Sequence, residues 1–154
     1  MATATLQKPV TSDRGAILAV AERIRRAHHD KDAAAIVAEH AVDAAIFSLA
    51  PPLLHRPDED ETQKWLNTWR GPVEFSYHDL QIKVSGNLAV AHGYVRLAGK
   101  KIGAAGAVDF WFRGTLTLER RQGDWVIVHE HHSVPFYMDG SLRPAFDLQP
   151  EGRS

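Results

Sequence analysis

Asp109, Arg113, His129, Glu130, His131 and His132 all fall within VDFWFRGTLTLERRQGDWVIVHEHHSVP, residues 108–135. Carboxylates and imidazoles are the side chains of proton transfer, and a guanidinium suits anion binding. The segment reads as two long strands joined at Gln122-Gly123, with Trp111, Phe112, Trp125 and Val128 interleaved. Strand side chains alternate between faces, so such a ribbon can aim acid, base and cation at one spot. Strict alternation puts Asp109, Trp111, Arg113, Thr115 and Thr117 on one face of the first strand, opposite Phe110, Phe112, Leu116 and Leu118. On the second strand, Trp125, Ile127, His129, His131 and Ser133 oppose Val126, Val128, Glu130 and His132. Either set can line a pocket.

A carboxylate such as Glu130 or Asp109 in an aromatic cavity has its charged form disfavoured, which moves its pKa towards the range useful for proton transfer. The plainer alternative is an ion pair with an arginine. Arg113 can neutralise such a carboxylate or grip an anionic substrate through its planar fork. Burying an arginine alone is costly, so Arg113 is expected beside Glu130 or Asp109 in a shielded cavity. His132 joins these three as a candidate acid or base. His129 and His131, two residues apart, could present two imidazoles to a metal with Asp109 as a third ligand. Histidines satisfied by hydrogen bonds are the competing reading, and neither a metal nor a cofactor is expected.

The elements that must position these groups begin with helices. Ser12 or Asp13 can cap a helix with an apolar stripe of Ile17, Val20, Ala21, Ile24 and Ala27. His28 and His29 then read as its solvated end. A second, alanine-rich helix starts at Asp30 or Asp32 and runs to about His40. Residues 44–50 form a short extended run halted by Pro51-Pro52. Asp58 with Glu61 resembles a capping box for a helix carrying Trp65, Leu66 and Trp69, stopped by Gly71-Pro72. After Pro72 the pattern becomes strand: 73–85, a turn at Gly86-Asn87, 88–98, a loop from Gly99 to Gly106, then about 107–121 and 124–134. Helices first and a meander afterwards predict an α+β fold, helices packed on one face of a curved antiparallel sheet. Residues 1–12 read as a flexible leader, 13–135 as one domain, and 136–154 as a tail.

At 154 residues, with 44% hydrophobic and 24% charged, the chain fits one globular domain. A net charge of −1 with scattered lysines and arginines gives no footprint for nucleic acid. The absence of cysteine excludes disulfides, thiolate metal sites and a cysteine nucleophile. No stretch is long and apolar enough to suggest a membrane span, and no signal-peptide layout is visible, so a cytoplasmic location is expected.

The order of elements, with GPVEF at a strand entrance, AVAHGYVRL, and DFWFRGTLTLERRQGDWVIVHEHHSVP, resembles the NTF2-like superfamily, more narrowly its SnoaL-like and ketosteroid-isomerase-like members. The resemblance covers roughly residues 14–135. It implies a cone in which helices pack on a strongly curved sheet, with Arg113 and Thr115 facing inward. Counting from the turn glycine, Glu130 falls where cyclases and epoxide hydrolases of this group place a catalytic acid. Arg96 matches an arginine that faces the cavity in some relatives. The His-x-His-x-Ser ending at His129 and His131 also occurs in non-enzymatic members. Thr115 stands where the epoxide hydrolases carry an aspartate, which favours isomerase, dehydratase or cyclase chemistry instead.

The expected site therefore has Glu130, Asp109, Arg113 and His132 as catalytic groups. Trp65, Trp69, Phe47, Tyr94, Arg96, Trp111, Thr115, Val128, His129 and His131 are expected to contact a mostly apolar small-molecule substrate. The rival is a non-catalytic ligand-binding or oligomerisation module. Large side chains on both sheet faces predict a homodimer formed by the outward face.

Overall fold

A computed structural model describes residues 12–152. The leader expected over 1–12 lies, except for Ser12, outside the described residues. Helix α1 spans Asp13–His29, α2 Ala33–Ala38 and α3 Glu59–Leu66. Each begins where the sequence offers a side-chain cap. Ser12 accepts from the Gly15 amide, Asp32 from Ala35 and Asp58 from Glu61. The strands are β1 (His40–Phe47), β2 (Trp69–Ser85), β3 (Leu88–Lys101), β4 (Val108–Arg121) and β5 (Asp124–Ser133).

They form one sheet in the order β1-β5-β4-β3-β2. Four strands make the expected antiparallel meander, but β1 returns from the helices to pair parallel with β5. The sheet is thus mixed rather than purely antiparallel. The second helix is also shorter than predicted, and His40 opens β1 instead of closing α2. Gly71-Pro72 does not stop a helix. It lies inside β2, where Gly71 takes φ +74° and the register shifts between Arg70 and Glu74. Trp69 is consequently the first residue of β2, while Trp65 stays on α3; their rings meet edge-on at 5.7 Å.

Helix α1 lays its stripe across one face of the sheet. Ile17, Val20 and Ile24 pack with Phe75, Val95, Phe112, Leu116 and Ile127 in the main core. Each fully buried aliphatic side chain contributes on the order of 1.5–3 kcal/mol. A second cluster of Ala27, Ile36, Leu66, Trp69 and Val73 closes one end of the sheet. In the tail, Phe136 bridges to Pro144, and the Phe146 ring lies 4.5 Å from that of Phe110.

One irregularity decides what faces inward. Leu118 pairs with Ile127 but Thr117 pairs with His129, which leaves Val128 as the extra residue of a bulge. Strict alternation therefore fails on β5. Trp125 and Ile127 share the inner face with Glu130 and His132, while His129 and His131 turn outward.

Candidate functional site: a buried carboxylate held by two histidines and a tyrosine

Glu130 opposes Leu116 in the β4–β5 ladder and points into the core, where it is only 6% exposed. Three other side chains converge on it. His40 Nε2, from the start of β1, lies 2.8 Å from Oε2. The Tyr77 hydroxyl, from β2, donates to Oε1 at 2.5 Å. His132 Nε2, two residues along β5, lies 2.9 Å from Oε1 and 3.3 Å from the Tyr77 hydroxyl. A buried carboxylate needs such partners, because an unsatisfied charge in the interior is expensive.

Glycine at position 114 makes the convergence possible. Gly114 pairs with His132 across the ladder, and a Cβ there would sit 2.6 Å from Val95 Cγ2 and 3.1 Å from Tyr77 Cε1. A side chain would occupy the space that the two rings use. Phe75 and Phe112 complete the surroundings, with ring centroids 5.5 and 5.1 Å from His132.

The electrostatics follow from this packing. Burial pushes the Glu130 pKa up, but the His132 and His40 imidazoles outweigh it and hold the carboxyl well below its usual range. Burial likewise works against a charged His40, yet the hydrogen bond and charge of Glu130 prevail and raise its pKa. The hydrogen bonding agrees. His40 Nδ1 lies 3.0 Å from the Ile36 carbonyl, so both ring nitrogens face oxygen acceptors, as an imidazolium requires. Burial, reinforced by the Glu130 charge, drives the Tyr77 phenol well above its usual value and keeps it a donor.

His28 belongs to the same neighbourhood, contrary to the solvated helix end expected from sequence. It is buried, stacks on Phe75 at 4.3 Å, and holds its Nδ1 2.8 Å from the Ile24 carbonyl. Burial lowers its pKa to about 4, so at neutral pH it is an uncharged imidazole with its proton fixed on Nδ1.

Of the residues singled out in the sequence, the structure brings Glu130 and His132 together. It does not bring Asp109 or Arg113 to them. Asp109 accepts two hydrogen bonds from Arg96, at 2.9 and 2.6 Å, on the outer face of the sheet. Those bonds outweigh its slight desolvation and lower its pKa. Arg113 is exposed and donates to Ser133 Oγ at 3.1 Å, so the expected pairing with Glu130 or Asp109 is corrected: β4 alternation turns it away from the core. Thr115, Trp111 and Tyr94 share that outer face, and Val128 occupies the bulge. Trp65 and Trp69 sit in the second cluster.

His129 Nδ1 donates to the Ala45 carbonyl at 2.7 Å, and Phe47 packs edge-on against both His129 and His131. Among the described residues no three His, Asp or Glu side chains are arranged to hold a metal ion. Nor is any described helix long and apolar enough to cross a membrane. Nothing in the sequence marks His40 or Tyr77: His40 ends an alanine-rich helical pattern, and Tyr77 lies within an ordinary strand pattern.

A recess of about 560 Å³ lies away from this cluster. It lies where the tail crosses β3 and β4, lined by Arg96, Asp109, Phe110, Trp111, Phe146 and Gln149. At Glu130, by contrast, a buried carboxylate, two imidazoles and a hydroxyl touch one another.

Known structures share this architecture. An NTF2-like protein of unknown function from Pseudomonas putida is 28% identical, superimposes with a TM-score of 0.74, and matches over 87% of this chain and 94% of its own. A protein from Novosphingobium aromaticivorans, provisionally named a scytalone dehydratase, is 17% identical with a TM-score of 0.67, covering 90% and 93%. A ketosteroid isomerase-like protein from Erwinia carotovora is 15% identical with a TM-score of 0.61, covering 77% and 92%. The last two likenesses speak for the fold alone. No curated protein sequence matches the chain. The model of the SnoaL-like domain matches residues 17–137, and the chain belongs to that family, within the NTF2-like superfamily.

Proposed function

We propose that the protein is a cofactor-independent acid/base enzyme of the isomerase, dehydratase or cyclase type, acting on a mostly apolar organic molecule at the Glu130 cluster. The observation that carries this reading is the contact of one buried carboxylate with two imidazoles and a phenol from three different strands. His132 is the proton-transfer group, since its Nε2 touches both Glu130 and Tyr77. Glu130 orients it, and His40 keeps Glu130 ionised. Tyr77, on turning its hydroxyl from Glu130 to the substrate, supplies the donor for a developing oxyanion. Phe75, Phe112 and the neutral His28 give the apolar surroundings in which such groups act strongly.

Names among the structural neighbours agree with dehydratase or isomerase chemistry but do not choose between them. The rival, a non-catalytic binding module, draws on the recess beside Arg96 and Asp109, which contains no proton relay. A panel of apolar ketones and β-hydroxyketones incubated with the protein in deuterated water separates the two. Deuterium uptake beside the carbonyl, or loss of water, is expected for one class and should fall on the order of 10²–10⁴-fold in Glu130→Gln. Equal rates in the variant would reject the assignment.

A further inference from the structure

A second feature stands apart from the Glu130 cluster. Arg70 and Lys100 are direct partners in the β2–β3 ladder, and Trp69 pairs with Lys101 one step further on. Like charges directly opposite one another in an antiparallel pair are destabilising. No ion pair among the described residues relieves Arg70 or Lys100. Lys101 leans over the Trp69 ring at 4.9 Å, a contact that leaves its charge uncompensated.

These three cations border a recess of about 230 Å³ whose other wall is the loop Gly103-Ala104-Ala105-Gly106-Ala107; no Asp or Glu lines it. The amides of Gly103, Ala105 and Gly106 make no backbone hydrogen bond among the described residues. Gly103 takes φ +84°, and a Cβ at Gly103 or Gly106 would meet nothing within 4 Å. The loop is therefore unpacked on the Cβ side of both glycines. Converging cations and uncommitted backbone N–H groups on a small-residue loop are the ingredients of an oxyanion site.

We propose that Arg70, Lys100, Lys101 and the 103–107 loop bind a phosphate group, carried by a small phosphorylated molecule or by a lipid headgroup. Phosphate suits the site because its oxygens accept from a fork, a point charge and amides at once. Arg70 would grip two oxygens, while the lysines and loop amides take the others. The bound dianion would also relieve the opposition of Arg70 and Lys100. This site is independent of the Glu130 cluster, which lies in the core.

Inorganic phosphate titrated into ¹⁵N-labelled protein at constant ionic strength tests it. Saturable shifts of the Gly103, Ala105 and Gly106 amides are expected, with affinity falling about tenfold or more in the Arg70→Gln/Lys100→Gln double variant. Both positions are exposed, so the variant is expected to keep the wild-type spectrum elsewhere. Sedimentation with phosphatidylcholine vesicles containing phosphatidic acid forms a second arm. Retention lost in the same variant identifies a lipid headgroup as the source, and tight free phosphate binding without retention identifies a soluble ligand. Shifts reproduced by chloride alone, or unchanged in the variant, together with no vesicle retention, would overturn the proposal.

Discussion

His40 and Glu130 meet at 2.8 Å across 90 residues of sequence, and each is almost fully buried. The contact fixes the end of α2, the start of β1 and the inner face of β5 relative to one another. Such a pair is not a large net source of stability, because desolvating both ions offsets their attraction. Breaking it is another matter. Glu130→Leu leaves His40 facing an apolar wall and should cost about 3–5 kcal/mol, whereas Glu130→Leu combined with His40→Phe should recover much of the loss. Urea denaturation of both variants checks this, and equal losses in the two would contradict it.

The same cluster predicts how stability depends on pH. Glu130 has a lowered pKa, so its contribution is present above the ordinary value of 4.5 and vanishes as pH falls through the folded value. His40 has a raised pKa, so its contribution is complete below 6.5 and fades as pH rises through the folded value. Stability should therefore be greatest between those limits with respect to this pair.

His28 adds a separate acid limb. Its folded pKa of about 4 lies below the ordinary 6.5, so the unfolded chain binds its proton more readily and stability declines as pH drops between them. The shift corresponds to roughly 3 kcal/mol. Denaturation from pH 7 to pH 4 should show a shallower slope in His28→Phe than in the wild type. Identical slopes would remove His28 from the account.

Gly114→Ala tests the packing beneath the site. The added methyl meets Val95 and Tyr77 at 2.6 and 3.1 Å, so destabilisation of about 1–3 kcal/mol is expected. Displacement of Tyr77 should also lower any proton-transfer activity. By contrast, Arg113→Ala should change stability by no more than about 0.5 kcal/mol, since that side chain is exposed.

Much of the fold could be read from residue pattern. The α1 stripe, the Asp58 cap and the turns at Gly86-Asn87 and Gln122-Gly123 are local signals, and each stands where local chemistry put it. Glu130 is singled out by the family resemblance, counting from the turn glycine. Its face is not, because the bulge at Val128 cancels one step of alternation and leaves no mark in the sequence. His40 was missed for a different reason: its partner strand is recruited from the far end of the chain, and non-local parallel pairing has no local signature. His28 did carry a signal, lying four residues beyond Ile24 on the buried stripe, but its neighbour His29 and the helix end made solvent the easier reading.

The outer face is the surface we propose for a homodimer. Val90 and Tyr94 are 38% and 41% exposed there, beside the half-buried Trp111. A homodimer formed by this face should appear in light scattering and should weaken in Tyr94→Glu. A monomer that associates only after truncation near Pro135 would instead assign the covering role to the tail.

The functional reading stands on an ionised Glu130 touching a charged imidazole inside the fold. NMR of protein labelled with ¹⁵N-histidine and ¹³C-glutamate, titrated from pH 5 to pH 8, measures this directly. We expect His40 to keep protons on both ring nitrogens past the point where free histidine loses one, with the Glu130 carboxyl signal in its ionised position throughout. A His40 that deprotonates at or below the ordinary value, or a protonated Glu130 at pH 7, would contradict the account.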